Sequence, residues 1–206
     1  MRLGILVSGR GSNLEAVLDA VADGRLPGVE PALVIANRHG IRALEVAARR
    51  GVRWRVMPRS DFPDADARDA AIGRALQEAG CALALLAGYD RLLRPSYFAA
   101  YPGRTINLHP SLLPRHGGRG MTGLAVHASV LAAGDAETGV TIHDVTEELD
   151  SGPPIAQVRI PVEAGETVAE LAERVLAFEH RTVVEVLARL SASMTGAPPA
   201  PIRARR

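Results

Sequence analysis

The sequence predicts a doubly wound α/β fold, in which a mostly parallel sheet carries helices on both faces and strands are added late. Short, nearly continuous apolar runs alternate with stretches of helical spacing, as expected of buried parallel strands joined by crossover helices. A length of 206 residues with 47% hydrophobic side chains is sufficient for one domain with its own core.

The first half of the chain repeats a unit of strand, turn and helix. The first unit is the apolar run Arg2–Val7 followed by Ser12–Ala22, in which Leu14, Val17 and Leu18 recur at helical spacing. Three further apolar runs and two further helical stretches follow in alternation. The predicted strands are 31–36, 52–56 and 82–87, and the predicted helices between them are 41–50 and 66–78.

In the second half the alternation of strands and helices is interrupted, because residues 109–123 form a long stretch rich in Pro and Gly. Loops of this length are usually functional. Two later runs carry β-branched residues and are predicted to be the added strands. The predicted helices are 94–101, 124–133 and 168–190, and the predicted strands are 105–108, 139–145 and 155–162.

No internal repeat or linker is found, so residues 1–190 are predicted to form a single domain. Residues 191–206 form a Pro- and Arg-rich C-terminal tail, which is typical of a frayed terminus. No apolar run reaches the roughly 18 residues of a membrane span, and polar residues follow the first apolar run at once, unlike a signal peptide. We therefore expect a cytoplasmic protein that does not bind membranes.

Composition excludes several classes of chemistry. All 24 basic residues are arginine, and without lysine the chain has no Schiff-base nucleophile, pyridoxal phosphate anchor or P-loop lysine. Cys81 is the only cysteine and allows neither an internal disulfide nor a cysteine-rich zinc site. A net charge of +1 argues against nucleic-acid binding, and the oligomeric state is left open. No metal site is expected, because the following histidines are dispersed: His39, His116, His127 and His180.

A Gly-rich turn, residues 8–13 (SGRGSN), joins the first strand to the first helix. Backbone N–H groups at a helix start, together with the helix dipole, favour a bound phosphate. The turn also fits a plain helix cap, since Ser12 followed by Glu15 has the spacing of a capping box, and both interpretations can hold. A dinucleotide is disfavoured, because Leu14 replaces the third glycine of GxGxxG and the second strand ends at Asn37 without a carboxylate.

Asn107 and His109 lie at the carboxyl end of a predicted strand, where the alternation of side chains places both on one side. Pro110 favours extended backbone at His109 and ends the strand. An amide donor beside an imidazole suits acyl transfer, in which negative charge develops on a carbonyl oxygen and a proton moves. A strand end with a capping Asn and a structural His fits the spacing equally well.

An acidic turn, residues 147–153, lies between the late strands. If Asp150 lay beside His109, its carboxylate would favour the protonated imidazole. The sequence cannot show this contact, and an acidic turn of this kind is more often a solvated loop. His143, on the preceding strand, is interpreted as a polar neighbour of the same crevice or as a hydrogen-bonded interior group.

Four segments together resemble the folate-dependent formyltransferases, and among them the phosphoribosylglycinamide formyltransferase family. The similarity extends from Arg2 to about His180, and no single segment is decisive, but all four occur in the order and approximate spacing of the family. The segments are 8–14 (SGRGSNL), 86–91 (LAGYDR), 106–114 (INLHPSLLP), and 138–143 (TGVTIH) with 149–153 (LDSGP).

The resemblance implies a formyltransferase fold and a reaction without a metal. The formyl group of the cosubstrate 10-formyltetrahydrofolate would pass directly to the amine of N1-(5-phosphoribosyl)glycinamide, in purine biosynthesis. The implied catalytic residues are Asn107, His109 and Asp150, and the implied substrate-binding residues are Gly11, Ser12, Asn13 and Glu179. The implied folate-binding residues are Arg91, Leu92, Leu93, Asn107, Val145 and Glu148.

Some residues depart from the family pattern. Asp90 lies in the segment expected to contact folate, at a position where the family pattern favours an apolar residue. Ala65 stands where some relatives carry an arginine near folate. Arg68, one helical turn further on, is a candidate to replace that arginine. The segment 115–127 is longer than in some relatives, and its glycines suit a lid over the substrate. The family also implies a cis Leu113–Pro114 bond.

Three alternatives remain open at this point. A formyltetrahydrofolate hydrolase and a formyltransferase directed to methionyl-tRNA or another amine belong to the same superfamily. Both usually carry an additional domain, for which we expect no room in this chain. The third alternative, a nucleotide-binding module without chemistry, would leave Asn107 and His109 with structural roles only.

Overall fold

The computed structural model describes residues 1–195 and contains a seven-stranded sheet with the order β3-β2-β1-β4-β5-β6-β7. The strands are β1 (Arg2–Val7), β2 (Glu30–Ala36), β3 (Trp54–Val56), β4 (Leu83–Leu86), β5 (Arg104–His109), β6 (Glu137–Asp144) and β7 (Pro154–Pro161). The helices are α1 (Ser12–Ala22), α2 (Arg42–Arg49), α3 (Ala65–Glu78), α4 (Pro95–Ala100), α5 (Leu124–Ala132) and α6 (Val168–Thr195).

The sheet is parallel from β3 to β5 and antiparallel where β6 and β7 are added. The chain first builds outward from β1 through β2 to β3 and then returns to add β4 on the other side of β1. This reversal is the position at which open α/β sheets form a crevice at the carboxyl ends of their strands. The fold class predicted from the sequence is therefore confirmed.

The core lies on both faces of the sheet, because successive side chains of a strand point to opposite faces. From β1, Ile5 and Val7 are fully buried against a cluster that includes residues of α1, α2, α5 and α6. Leu6 points the other way and packs with Ile72 of α3 and Tyr97 of α4. The predicted helical cover on both faces is thus confirmed.

Boundaries differ from the predicted ones by a few residues. The largest difference is at α6, which continues to Thr195 and so includes the first residues of the segment predicted as a tail. Residues 196–206 lie outside the described residues, and the division into a domain and a tail stays a prediction. Within residues 1–195, no helix has both the length and the apolarity to cross a membrane. The cytoplasmic location also stays a prediction.

Candidate active site

A cleft of about 1270 Å³ opens beyond the carboxyl ends of β1, β4 and β5. Every residue predicted for catalysis or binding lines it. One side of the cleft, which we call the helix wall, is formed by Gly11, Ser12, Asn13 and Glu179. Another side, the loop wall, is formed by Arg91, Leu92, Leu93, Val145 and Glu148.

The helix wall begins at the first turn of α1. Gly11 is the residue before the helix and has φ of 73°, and no side chain of residues 1–195 caps the helix there. A Cβ at this position would lie 2.7 Å from Ala43 Cβ, so glycine is required by space as well as by conformation. The predicted capping box is wrong, because the Glu15 carboxylate binds the guanidinium groups of Arg42 and Arg49 of α2 instead.

Asn13 and Glu179 close the helix wall from two different helices. Asn13 Nδ2 donates a hydrogen bond of 2.6 Å to Glu179 Oε2, and both residues are buried. Burial raises the pKa of Glu179, since little solvent is present to stabilise the carboxylate. Among residues 1–195, Asn13 Oδ1 has no hydrogen-bond partner. Asn13 therefore keeps one buried, unsatisfied acceptor within the helix wall.

Asn107 lies beside His143 because β5 and β6 pair in antiparallel register with these two residues opposite each other. Asn107 Nδ2 is 3.1 Å from His143 Nε2, and His143 Nδ1 is 2.9 Å from the main-chain oxygen of Asp144. A carbonyl oxygen only accepts, so His143 Nδ1 donates to it and Nε2 accepts from the Asn107 amide. Burial lowers the pKa of His143 and so favours this neutral form.

His109 and Asp150 meet at the centre of the cleft. Asp150 Oδ2 lies 3.9 Å from His109 Nδ1, and Asp150 Oδ1 lies 3.7 Å from His143 Nε2. All three side chains are less than one-tenth exposed. Coulomb attraction between a carboxylate and an imidazolium is strong at this distance and burial. The contact that the sequence could not show is thus present.

Asp150 is also connected to the long loop after β5. Its Oδ2 accepts a 2.8 Å hydrogen bond from the main-chain N–H of Gly118, and Asp150 itself has φ of 52°. Within the same loop, the Leu113–Pro114 bond is cis, as the resemblance implied. The loop, residues 110–123, therefore contributes to the cleft through its backbone.

The loop wall combines apolar and charged groups. Leu92 is 50% exposed, whereas Leu93 is buried in the core beneath α3 and α4. Asp90 accepts hydrogen bonds from Asn37, at 2.7 Å, and from Arg38. Burial alone would raise the pKa of Asp90, but these hydrogen bonds outweigh it and the pKa lies below its usual value. Asp90 thus ties the loop wall to the end of β2.

The suggestion that Arg68 replaces a folate-binding arginine is wrong. Its guanidinium group is buried and binds Asp69 Oδ1 at 2.6–2.8 Å, and it does not line the cleft. Asp69 in turn accepts from the main-chain N–H of Arg94 at the start of α4. A buried ion pair that anchors α4 accounts for this arginine.

Two histidines without a specific predicted role take part in the site. His127 of α5 lines the cleft, is buried, and has a pKa lowered by burial and by the nearby His109. His116 contributes its main-chain oxygen, which lies 2.9 Å from His109 Nε2. Helical spacing around His127 and the position of His116 within an irregular loop gave no signal for either contact. Among the described residues, no three His, Cys, Asp or Glu side chains are grouped as a metal ion would require.

The fold and this cleft correspond to a known class of enzyme. The pattern of the family described as "Formyl transferase" matches residues 1–187. The chain therefore belongs to the formyl transferase family and is a transferase. Within this family, the chain is similar to proteins named phosphoribosylglycinamide formyltransferase, which confirms the resemblance inferred from its four segments.

Three relatives illustrate the similarity. The phosphoribosylglycinamide formyltransferase of Escherichia coli (strain K12) is 36% identical over 87% of this chain and 82% of its own length. The trifunctional purine biosynthetic protein adenosine-3 of Drosophila pseudoobscura is 38% identical over 92% of this chain, which spans only 14% of that protein. The structure of glycinamide ribonucleotide transformylase 1 from Symbiobacterium toebii has a TM-score of 0.87 and 40% identity, and the match covers 94% of this chain and 88% of that one.

Proposed function

We propose that this enzyme transfers the formyl group of 10-formyltetrahydrofolate to the amine of N1-(5-phosphoribosyl)glycinamide, a step of purine biosynthesis. The observation that carries the proposal is the convergence of Asn107, His109 and Asp150 on one cleft, beside an uncapped helix start, in a member of the formyl transferase family. The names of the relatives support this choice of acceptor.

The helix wall suits the phosphorylated acceptor. The N–H groups of Ser12 and Asn13 begin α1 and have no side-chain cap, so they can bind phosphate oxygens at the positive end of the helix dipole. Arg10 also lines the cleft there and adds positive charge. Glu179 can accept hydrogen bonds from ribose hydroxyl groups. Anchoring the phosphate would orient the distant amine and so lower the entropic cost of the reaction.

The loop wall suits the folate. Leu92 and Val145 offer apolar surface to a flat heterocycle, while Arg91 and Glu148 offer polar contacts at its edges. The acidic turn that contains Asp150 borders this wall, so the formyl group of a folate bound here would lie near the catalytic residues.

Asn107 is proposed to stabilise the formyl oxygen. One N–H of its amide is held by His143 Nε2, which fixes the orientation of the amide and leaves the second N–H for the substrate. As the amine nitrogen forms a bond to the formyl carbon, negative charge develops on the formyl oxygen and strengthens this hydrogen bond. His143 is thus a positioning residue for Asn107.

His109 is proposed to assist the departure of the folate nitrogen. The carboxylate of Asp150 stabilises positive charge on His109, which in turn stabilises the oxyanion. The bond from the formyl carbon to the folate nitrogen then breaks as His109 donates a proton to that nitrogen, and His109 takes up the proton that the attacking amine loses. The transfer is direct and needs no covalent enzyme intermediate.

The test is a formyl-transfer assay followed by folate absorbance, with and without N1-(5-phosphoribosyl)glycinamide. We expect turnover only with this acceptor, and a loss of roughly 10²- to 10³-fold in kcat for Asn107→Ala and for His109→Ala. Turnover without an acceptor would identify a hydrolase. Turnover with methionyl-tRNA alone, or none with any acceptor, would also contradict the proposal.

A further inference from the structure

We propose that His116, together with Asp135, is a positioning residue for His109 and acts through its own main-chain carbonyl. His109 Nε2 lies 2.9 Å from the His116 oxygen. A carbonyl oxygen only accepts hydrogen bonds, so the proton of this contact is on Nε2 and Nδ1 is the nitrogen that faces Asp150. The inference rests on the proposed function, in which His109 assists proton transfer. Nδ1 lies 3.9 Å from Asp150, beyond hydrogen-bond distance, and is the nitrogen left for that transfer.

The backbone of His116 has an unusual conformation that fixes the direction of this carbonyl. Its φ is 55°, in the left-handed region that non-glycine residues rarely adopt. Such a conformation persists where surrounding contacts hold it. The following two residues are glycines, Gly117 and Gly118, which impose little restraint of their own. On the C-terminal side the loop is held by the hydrogen bond from the Gly118 N–H to Asp150. The remaining restraint comes from the side chain of His116 and from the residues before it.

The His116 side chain is held at both ring nitrogens by groups outside the loop. Nδ1 lies 2.8 Å from Ser129 Oγ on α5, and Nε2 lies 2.8 Å from Asp135 Oδ2 in the turn after that helix. His116 and Asp135 expose only 11% and 7% of their side chains, so water competes weakly for these hydrogen bonds. The loop is thereby attached to the frame of the domain at the residue that contacts His109.

The preceding residue is fixed as well. Ser111 is fully buried, and its Oγ donates a 2.7 Å hydrogen bond to the main-chain oxygen of Arg115. The Arg115 side chain, in contrast, is 63% exposed and pairs with Asp135 from the solvent side. Two consecutive carbonyl groups are therefore held by buried contacts. The orientation of the His109 ring is thus coupled to the buried pair of His116 and Asp135.

The test compares His116→Asn with the matched control Arg115→Ala. Asparagine tolerates the left-handed conformation but is too short to bridge Ser129 and Asp135, so it removes the anchor without imposing a new backbone preference. Arg115→Ala removes only the exposed contact to Asp135. Two quantities are measured on the full chain: the ¹⁵N shifts of the His109 ring nitrogens at about pH 8, where histidine is ordinarily neutral, and kcat and KM.

We expect His116→Asn to lose the Nε2-protonated signal of His109 and to lower kcat by roughly tenfold to 100-fold, as expected of a small misplacement, with both KM values within about twofold. Arg115→Ala should keep the signal and the rate. If His116→Asn does not fold, as judged by circular dichroism, Asp135→Ala is used instead, because it removes the partner of His116 Nε2. We expect Asp135→Ala to lose the His109 ring signal and to lower kcat, whereas Arg115→Ala does neither.

Two results would overturn the inference: an unchanged ring signal, whether or not kcat falls, or an unchanged kcat. Failure of the proposed function is distinguishable, because it would appear in the parent protein as turnover without N1-(5-phosphoribosyl)glycinamide or as no turnover with it. Full activity in His109→Ala would remove the proposed role of His109, whatever its ring signal does in the His116 variant. The His109→Ala spectrum also assigns the ring signals.

Discussion

Asn13 of α1 and Glu179 of α6 are joined by a hydrogen bond of 2.6 Å within the helix wall of the cleft. The contact connects the first helix of the fold to the last one. It also holds a carboxyl group at a buried position where its ionisation is unfavourable, since burial raises its pKa. We interpret the pair as a contact for the ribonucleotide that lowers the stability of the folded protein.

Replacing Glu179 by Gln should therefore raise the stability of the protein and weaken its binding of the ribonucleotide. The folded-state pKa of Glu179 is raised, so its contribution to stability is present below the unfolded pKa, near 4.5, and is lost as the pH rises through the folded value. Glutamine does not ionise, and its amide can also donate to the unpaired Asn13 Oδ1. We expect the Tm at pH 7.5 to rise by roughly 2–4 °C, and the KM for the ribonucleotide to rise.

The matched control is Glu185→Gln, which makes the same chemical change at an exposed position of the same helix. It should leave both the Tm and the KM nearly unchanged. A Glu179→Gln variant that is less stable than the parent protein at pH 7.5 would contradict this account of the pair.

Acidification should destabilise the protein in the histidine range, and part of this effect should come from His127. Burial lowers its pKa, so the unfolded state binds the proton more readily and stability is lost as the pH falls below about 6.5. His127→Leu should flatten the dependence of the unfolding free energy on pH between about 8 and 5.5, as measured by urea unfolding.

Glu179 acts in the opposite sense and would mask part of this effect. The comparison is therefore made in the Glu179→Gln background, with and without His127→Leu. Identical pH slopes in the two proteins would show that His127 does not titrate differently on unfolding.

Two substitutions at Asp150 should separate its charge from its contact with the loop. Asp150→Asn keeps an oxygen that can accept from the Gly118 N–H but removes the negative charge beside His109. We expect a fall in kcat of roughly 10²-fold, the usual effect of losing a preorganised electrostatic contact, with little change in loop protection from proteolysis.

Asp150→Ala removes both functions of the side chain. We expect a similar loss of kcat, together with faster proteolytic cleavage within residues 115–121. If Asp150→Asn retained the parental kcat, the charge would have no role in the reaction.

Gly11→Ala should damage the helix wall. An added Cβ would lie 2.8 Å from the Ala43 Cα, and φ at Gly11 is positive. The left-handed conformation alone costs about 1–2 kcal/mol of unfolding free energy in a residue with a Cβ, and displacement of the turn should raise the KM for the ribonucleotide. Gly9→Ala is the control for stability, because no atom of the described part of the chain lies within 4 Å of its added Cβ. Equal stability of the two variants would be contrary to this expectation.

Most of the fold could be predicted because its strands and helices have distinct periodicities. The first strand, Arg2–Val7, and the first helix, Ser12–Ala22, have the bounds that their apolar spacing indicates. Polar contacts between residues far apart in the sequence were harder to predict. Glu15 has the spacing of a capping box, but the arginines of α2 compete for it, and nothing in the local sequence indicates that α2 packs there.

The candidate site could be predicted in part, for a related reason. The alternation of a strand places Asn107 and His109 together, and the resemblance to a family supplied Asp150. No spacing rule connects Asp150 to His109, since the two meet only through the return of the chain from β6 to β7. The anchoring of His116 by Ser129 and Asp135 likewise depends on how the loop folds onto α5, which no periodicity records.

The two walls of the cleft are supported by opposite faces of the sheet: Asn13 and Glu179 by the helices α1 and α6, and Leu93 by the core beneath α3 and α4. Repacking one face should therefore leave the geometry of the other nearly intact. In protein engineering, the proposed site for the amine substrate could therefore be widened without altering the proposed folate site. The folate site could likewise be changed without altering the amine site.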